Sequence, residues 1–192
     1  MKKTLLLIDC QNDFITGSLP VADAKGKMKV LTKYIKDHAS EYDNFIISYD
    51  SHPTTHCSFK DNGGIWPTHC VMMTEGAELY PVLQEAIVSA GIPTVALYKG
   101  TDPQKEEYGL VDDDYNRSAM AMMLEKIDTL DVVGIMGEYC VHDSVKGICD
   151  MVADDANAKK IRLLLPFIST ADDNAKLKGL AKERNLTVVE KL

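Results

Sequence analysis

Residues 4–9 read Thr-Leu-Leu-Leu-Ile-Asp, a short apolar run that ends at a carboxylate. A run of this length predicts a β-strand buried on both faces, as in the parallel sheets of α/β proteins. Two lysines precede it, as in a signal peptide, but four apolar residues are far too few for a signal-peptide core. The stretch therefore predicts the first strand of a folded domain, with Asp9 at its carboxyl end.

Five further apolar runs follow along the chain, each also predicted to be a strand buried on both faces, and helix-like segments separate them. The predicted strands are 4–8, 44–49, 93–98, 131–136, 162–166 and 187–190, and the predicted helices are 26–38, 79–89, 118–126, 140–157 and 172–184. Strands that alternate with helices indicate an α/β fold, a largely parallel sheet covered by helices on both faces. No internal repeat or Pro/Gly/Ser-rich linker interrupts the pattern, so residues 1–192 are predicted to form a single domain.

Composition and charge narrow the class of protein. The chain is 45% hydrophobic and 26% charged, which is ordinary for a globular domain. Its formal net charge of −8 disfavours nucleic acid and anionic membranes as partners, because a polyanion is repelled at long range. No apolar segment is long enough to cross a bilayer, and five irregularly spaced cysteines fit reduced thiols better than a disulfide framework. A cytoplasmic protein is therefore expected.

Reactive side chains follow four of the predicted strands. Asp9 ends the first strand, Asp50 the second and Lys99 the third, and Cys140 follows the fourth after a short turn. In open α/β sheets ligands bind at the carboxyl ends of the strands, where the loops begin. We therefore expect these four side chains to lie at the same edge of the sheet.

Cys140 is a candidate nucleophile. It opens a segment with helical periodicity, and a helix N-terminus or a nearby cation lowers the pKa of a thiol from about 8.5. On position alone a buried core cysteine is an equal alternative, and Cys149, in the middle of the same helix, is interpreted as core. Asp9 could act as the general base for the thiol, or it could be an acidic loop former. Lys99 could stabilise both the Cys140 thiolate and the Asp9 carboxylate, or it could be a solvated lysine at a strand end.

A second cluster combines one carboxylate with several imidazoles. Three of the five histidines, His52, His56 and His69, fall within 20 residues that begin at Asp50. Such a ligand set suits a borderline metal such as zinc, iron or manganese. A His-Pro turn, with Trp66 filling the core, is the competing interpretation, and we favour the metal site.

Five segments carry a family resemblance. They are LIDCQNDF (7–14), DSHP (50–53), WPTHC (66–70), KGT (99–101) and GIMGEYCV (134–141), in this order over nearly the whole chain. Together they resemble the signature segments of the isochorismatase-like cysteine hydrolases, and most closely those of the nicotinamidase branch. The resemblance implies a three-layer α/β/α fold around a six-stranded, mainly parallel sheet.

The resemblance also implies a catalytic centre. It assigns a triad to Asp9, Lys99 and Cys140. A cis peptide is expected between Ile135 and Met136, and the backbone N–H groups of Met136 and Cys140 are expected to form the oxyanion hole.

A metal site is implied as well. One divalent ion, with zinc preferred over iron or manganese, is expected on Asp50, His52 and His69. His56 and Asp61 are both candidates for a further metal ligand. Phe14 and Trp66 match the aromatic positions that enclose the substrate ring, and the metal is expected to bind the pyridine nitrogen of that ring.

The implied activity is hydrolysis of the small amide nicotinamide to nicotinic acid and ammonia, through a cysteine thioester, in NAD salvage. The alternative is a related cysteine amidohydrolase that acts on a carbamoyl or ureido compound. A catalytically silent binding module is disfavoured because all three triad positions are occupied. Gly137-Glu138 departs from the Thr-Asp pair that nicotinamidases often carry before the nucleophile. A homo-oligomer is expected, as for many small α/β enzymes.

Overall fold

The computed structural model describes residues 2–152 and 160–191, and a six-stranded parallel sheet forms its centre. The strands are β1 (Lys3–Ile8), β2 (Asn44–Asp50), β3 (Thr94–Lys99), β4 (Thr129–Ile135), β5 (Ile161–Ser169) and β6 (Thr187–Val189). Their spatial order is β3-β2-β1-β4-β5-β6, and each strand runs parallel to its neighbours. The prediction of a six-stranded parallel sheet is confirmed.

Helices cover both faces of the sheet. They are α1 (Asn12–Ile15), α2 (Ala24–His38), α3 (Pro81–Ala90), α4 (Asp114–Leu124), α5 (Cys140–Met151) and α6 (Ala175–Glu183). On one face, Leu6 and Ile8 of β1 pack in a core with residues of α4, α5 and α6. On the other face, Leu5 and Leu7 pack in a second core with residues of α1, α2 and α3. The run 5–8 is apolar at every position because β1 is central and needs apolar side chains on both faces.

Two predicted strands are less buried than expected. Val95 and Tyr98 of β3 are exposed, and so is Thr187 of β6. The expectation that every strand is buried on both faces is wrong for β3 and β6, because both lie at the edges of the sheet.

Among residues 2–152 and 160–191, no helix combines the length and apolar character needed to cross a membrane.

Residues at the helix ends explain the shifted boundaries of two helices, α4 and α3. Helix α4 begins four residues before its predicted start, because the Asp113 side chain accepts a hydrogen bond from the Asn116 N–H at 2.8 Å and caps the helix. Helix α3 begins at Pro81, a residue favoured in the first turn, and ends at Ala90, which is followed by Gly91 in a left-handed conformation. The predicted helix 140–157 is α5, which ends at Met151, and positions 153–157 of that prediction lie outside the described residues.

The carboxyl ends of four adjacent strands, β1 to β4, meet at one edge of the sheet. Asp50 and Lys99 are the last residues of β2 and β3 and face each other in register. Asp9 directly follows β1, and Cys140 opens α5 after the turn that follows β4. At this edge Ile8 pairs with Gly134, where an added Cβ would lie 2.1 Å from the Ile8 carbonyl oxygen. The sheet therefore presents the predicted reactive side chains on adjoining strands.

Candidate active site

Lys99 lies at the centre of the buried polar side chains at this edge. Its Nζ is 2.9 Å from Asp9 Oδ2, forms an ion pair with Asp50 Oδ1 and lies 3.7 Å from Cys140 Sγ. Only 1% of the Lys99 side chain is exposed. Burial would lower the pKa of this amine, but Asp50, Asp9 and Cys140 together raise the pKa well above its ordinary value. Lys99 therefore stays a cation that holds two carboxylates and a sulfur around it.

Asp9 is held in place from two sides. Its backbone is left-handed, with φ 49°, and its N–H donates to the Ser48 carbonyl at 3.2 Å. The Ser48 hydroxyl donates to Asp9 Oδ1 while Lys99 approaches Oδ2. Burial and the charge of Asp50 raise the pKa of Asp9, although Lys99 and Ser48 oppose the shift. A carboxylate with a raised pKa is a better proton acceptor than an exposed aspartate.

Cys140 is the first residue of α5, and its thiol is buried. Burial raises the pKa of the thiol well above its ordinary value, Lys99 opposes the shift, and Asp9 and Asp50 add to it. This result differs from the expectation that the helix N-terminus and the lysine lower this pKa, because desolvation and two carboxylates outweigh one cation. The resting thiol is therefore protonated, and a base must remove its proton when it attacks.

The turn before Cys140 is closed by backbone hydrogen bonds. The peptide between Ile135 and Met136 is cis, as predicted. The Met136 carbonyl accepts the N–H groups of Tyr139 at 3.0 Å and Val141 at 3.1 Å. The N–H of Cys140 thus lies in the first turn of α5, where backbone donors have no acceptor within the helix. It is available to a developing negative charge on a substrate oxygen.

Asp50, His52 and His69 form a buried three-residue group. Asp50 Oδ2 lies 3.3 Å from His52 Nε2 and 3.7 Å from His69 Nε2. One ligand atom from each residue lies within 4.8 Å of the others. Burial would raise the pKa of Asp50, but Lys99 and the two imidazoles hold it well below its ordinary value. The carboxylate is therefore charged and able to bind a cation.

The hydrogen bonds of the two imidazoles fix their tautomers. His52 Nδ1 lies 2.9 Å from the Gly100 carbonyl oxygen, and His69 Nδ1 lies 2.8 Å from that of Pro67. A carbonyl can only accept, so each Nδ1 carries hydrogen, and the Nε2 of each ring is left to face Asp50. Metal-binding histidines are oriented in this way. The group fits a divalent cation, bound by one oxygen and two nitrogens.

The two candidates for a further ligand do not join this group. His56 Nδ1 is bonded to the Ser58 hydroxyl at 2.7 Å, and Nε2 lies 3.1 Å from the Lys105 carbonyl. Its ring is tilted by 37° relative to that of His52, and the two ring centroids are 4.1 Å apart. Asp61 is exposed in a turn. Both nitrogens of His56 are therefore occupied, and Asp61 lies outside the buried group.

An aromatic pocket opens directly above Cys140. Its empty volume is about 370 Å³, which includes part of its opening to solvent. Its lining includes Phe14, Trp66, Asp50, His69, Tyr108, Tyr139 and Met136. Trp66 meets the Tyr139 ring edge-on, with centroids 5.2 Å apart, and donates its indole N–H to the Tyr108 hydroxyl at 2.9 Å. A flat aromatic molecule of small size suits this pocket.

Sequence reasoning missed several residues of the site. Tyr108 and Glu106 line the pocket from the loop after β3, and Tyr139 lines it from the turn before the nucleophile. The Ser48 hydroxyl donates a hydrogen bond to Asp9, and the Gln11 side chain accepts one from the Asp50 N–H. Tyr139 could have been found from its position beside Cys140. The loop residues carry no spacing signal, because the fold of the loop brings them to the pocket.

The known proteins to which this chain is similar agree with the chemistry that the geometry of the site suggests. The chain is 31% identical to the nicotinamidase of Escherichia coli over 163 aligned residues, which cover 74% of each chain. It is 27% identical to the nicotinamidase of Saccharomyces cerevisiae, over 98% of this chain and 100% of the relative. The structure of yeast nicotinamidase Pnc1p bound to the inhibitor nicotinaldehyde is similar with a TM-score of 0.83 at 26% identity, covering 98% of this chain and 100% of that chain. No protein-family model matches the chain.

Proposed function

The chain belongs to the nicotinamidase family of isochorismatase-like cysteine hydrolases, and from this we propose that it hydrolyses nicotinamide to nicotinic acid and ammonia. One observation carries the proposal beyond the family. The thiol of Cys140 lies within 3.7 Å of the buried Lys99 amine at the floor of an aromatic pocket. The family role in NAD salvage, a cytoplasmic location and a homo-oligomer remain predictions.

In the first half of the proposed reaction, Asp9 takes the proton of the Cys140 thiol as the sulfur attacks the carboxamide carbon. The new C–S bond pushes the carbonyl electrons onto oxygen, and the N–H groups of Met136 and Cys140 are the donors proposed for that oxyanion. The C–N bond then breaks, and Asp9 returns the proton to the leaving amine. Ammonia departs and a thioester remains on Cys140.

In the second half, Asp9 accepts a proton from water, and the resulting hydroxide adds to the thioester carbon. The C–S bond breaks, the sulfur regains the proton and nicotinic acid leaves. Lys99 stabilises each negative charge in turn, because its ammonium contacts Asp9 and faces Cys140. The raised pKa of Asp9 suits a group that must both accept and donate this proton.

Asp50, His52 and His69 are the residues proposed to hold a divalent ion, and zinc suits their donor set of one carboxylate oxygen and two imidazole nitrogens. When bound, the ion would supply a Lewis acid for the pyridine nitrogen of the substrate. Asp50 and His69 line the same pocket as Cys140, and Phe14 and Trp66 are proposed to enclose the ring. Together they would orient the carboxamide toward the sulfur.

A panel of small amides tests the substrate. Ammonia release is measured with nicotinamide, with benzamide, which lacks the ring nitrogen, and with a ureido compound of similar size. The proposal predicts a clear preference for nicotinamide over both, and metal analysis of the purified protein should find one divalent ion per chain. A preference for the ureido compound, with no bound metal, would assign the protein to the alternative class of cysteine amidohydrolase.

A further inference from the structure

Three consecutive polar side chains follow the general base and are buried without a part in the reaction. Gln11, Asn12 and Asp13 begin two residues after Asp9 and expose only 0%, 9% and 9% of their surfaces. Buried polar groups are costly unless they are hydrogen-bonded. The partners of these three side chains therefore indicate what each one does.

The carboxamide of Gln11 binds the main chain of Asp50 on both sides. Its Nε2 donates to the Asp50 carbonyl at 2.7 Å, and its Oε1 accepts the Asp50 N–H at 2.8 Å. The same Nε2 also donates to the Ala77 carbonyl at 2.8 Å. Asp50 is the last residue of β2, so Gln11 fixes the backbone at the point from which the Asp50 carboxylate projects.

The carboxylate of Asp13 holds the segment that carries His69. Asp13 Oδ2 accepts the Cys70 N–H at 2.7 Å, and Oδ1 accepts the Ser18 N–H at 3.0 Å. The Ser18 hydroxyl donates in turn to the Thr68 carbonyl at 2.7 Å. Cys70 has φ 45°, a left-handed conformation that a residue with a Cβ keeps only when its surroundings fix it. Both neighbours of His69 are thus tied, directly or through Ser18, to Asp13.

We propose that Gln11 and Asp13 are positioning residues that set the geometry of the metal site through Asp50 and His69. This inference rests on the proposed function, in which those two side chains bind a divalent ion. Partners that orient metal ligands typically contribute about 10–100-fold to metal affinity. Asn12 provides a matched contrast, because its Nδ2 donates to the Glu75 carbonyl at 2.7 Å, away from the ligands.

The test measures the zinc dissociation constant by competition with a chelator. Gln11→Glu keeps the side-chain size and the acceptor for the Asp50 N–H but loses both donated bonds. Asp13→Asn keeps the size but can accept from only one of its two N–H partners. Each is expected to raise the dissociation constant about 10–100-fold, whereas Asn12→Asp should leave it unchanged.

Two further measurements separate positioning from general stability. The melting temperature of each metal-free variant is recorded, because a purely structural role lowers that temperature and leaves the zinc affinity of the folded protein unchanged. His52→Ala tests whether zinc binds at the proposed metal site, because it removes one of the proposed ligands. If His52→Ala leaves zinc binding unchanged, the proposed metal site itself is wrong.

If His52→Ala abolishes zinc binding while Gln11→Glu and Asp13→Asn both bind as tightly as the wild type, only the positioning role is overturned. If one of the two variants does not fold, the other decides the result. Weakened zinc binding by a variant that melts at the wild-type temperature supports the proposal.

Discussion

Asp9, Lys99 and Cys140 form one buried electrostatic unit, in which the pKa values of Asp9 and Cys140 both depend on Lys99. Burial disfavours every charge in it, but the Lys99 ammonium lies between two carboxylates and remains charged. The thiol gains less from that cation because it lies farther away, at 3.7 Å, and its pKa stays raised. The resting state therefore holds a neutral thiol beside a carboxylate ready to receive its proton.

The pH dependence of kcat/KM tests the role of Asp9. Activity requires ionised Asp9, so the acid limb should lie above the usual pKa of an aspartate. Ser48→Ala removes a hydrogen bond that favours the ionised form, which raises the pKa of Asp9 further. A hydrogen bond to a charged group contributes roughly 1.5–3 kcal/mol, and one pKa unit corresponds to about 1.4 kcal/mol, so we expect the acid limb to move up by about one to two pH units.

Ser144→Ala is the matched control, since Ser144 is also a buried serine but its hydroxyl accepts the Leu110 N–H at 2.8 Å. This variant should keep the wild-type acid limb. If Ser48→Ala leaves the acid limb at its wild-type pH, Asp9 is excluded as the group that titrates there.

Strand ends made part of the site predictable from sequence. Asp9, Asp50 and Lys99 each end an apolar run, and parallel strands bring such ends to one edge. The raised pKa of Cys140 was not predictable, because it depends on the depth of burial and on two carboxylates from other strands. Tyr108 was missed because a loop without periodicity carries it to the pocket.

At the scale of elements, β1 and β4 approach closely just below the site. Gly134 has φ 134°, a conformation open to glycine, and an added Cβ would lie 2.1 Å from the Ile8 carbonyl oxygen. Strain at this φ and overpacking against β1 act together, so we expect Gly134→Ala to lower the free energy of unfolding by roughly 3 kcal/mol. Denaturant unfolding followed by circular dichroism measures the change.

Gly26→Ala is the control for this substitution. Gly26 is exposed in α2, and an added Cβ would meet nothing within 4 Å. It should raise the free energy of unfolding by about 0.5–1 kcal/mol, because alanine favours the helix and restricts the unfolded chain. Equal effects of the two variants would contradict the close packing of β1 and β4.

The sequence predicted which segments form strands and helices better than it predicted the residues at which they begin and end. The apolar run 5–8 specifies a central strand, because both cores draw on its alternating residues. The start of α4 was missed because it depends on one capping bond from Asp113, and hydrophobic periodicity does not report such a bond. The strand order along the sheet was likewise not contained in the pattern of runs.

At the scale of the whole molecule, a bound ion should stabilise the fold by mass action. Asp50, His52 and His69 come from a strand end and from the loop that follows it, so their geometry exists only in the folded chain. Zinc at 100 times its dissociation constant adds about 2.7 kcal/mol, which raises the melting temperature of a chain of this size by roughly 5–10 °C. His69→Ala should lose most of this shift. An equal shift in the variant would place the ion elsewhere.

The central claim is that Cys140 is the nucleophile that releases ammonia from nicotinamide. Ammonia release by the wild type, Cys140→Ala and Cys149→Ala tests it most directly, because Cys149 is a second buried cysteine of α5. We expect Cys140→Ala to abolish release while keeping the wild-type circular dichroism spectrum, and Cys149→Ala to retain release. Substantial turnover by a folded Cys140→Ala variant would contradict the account.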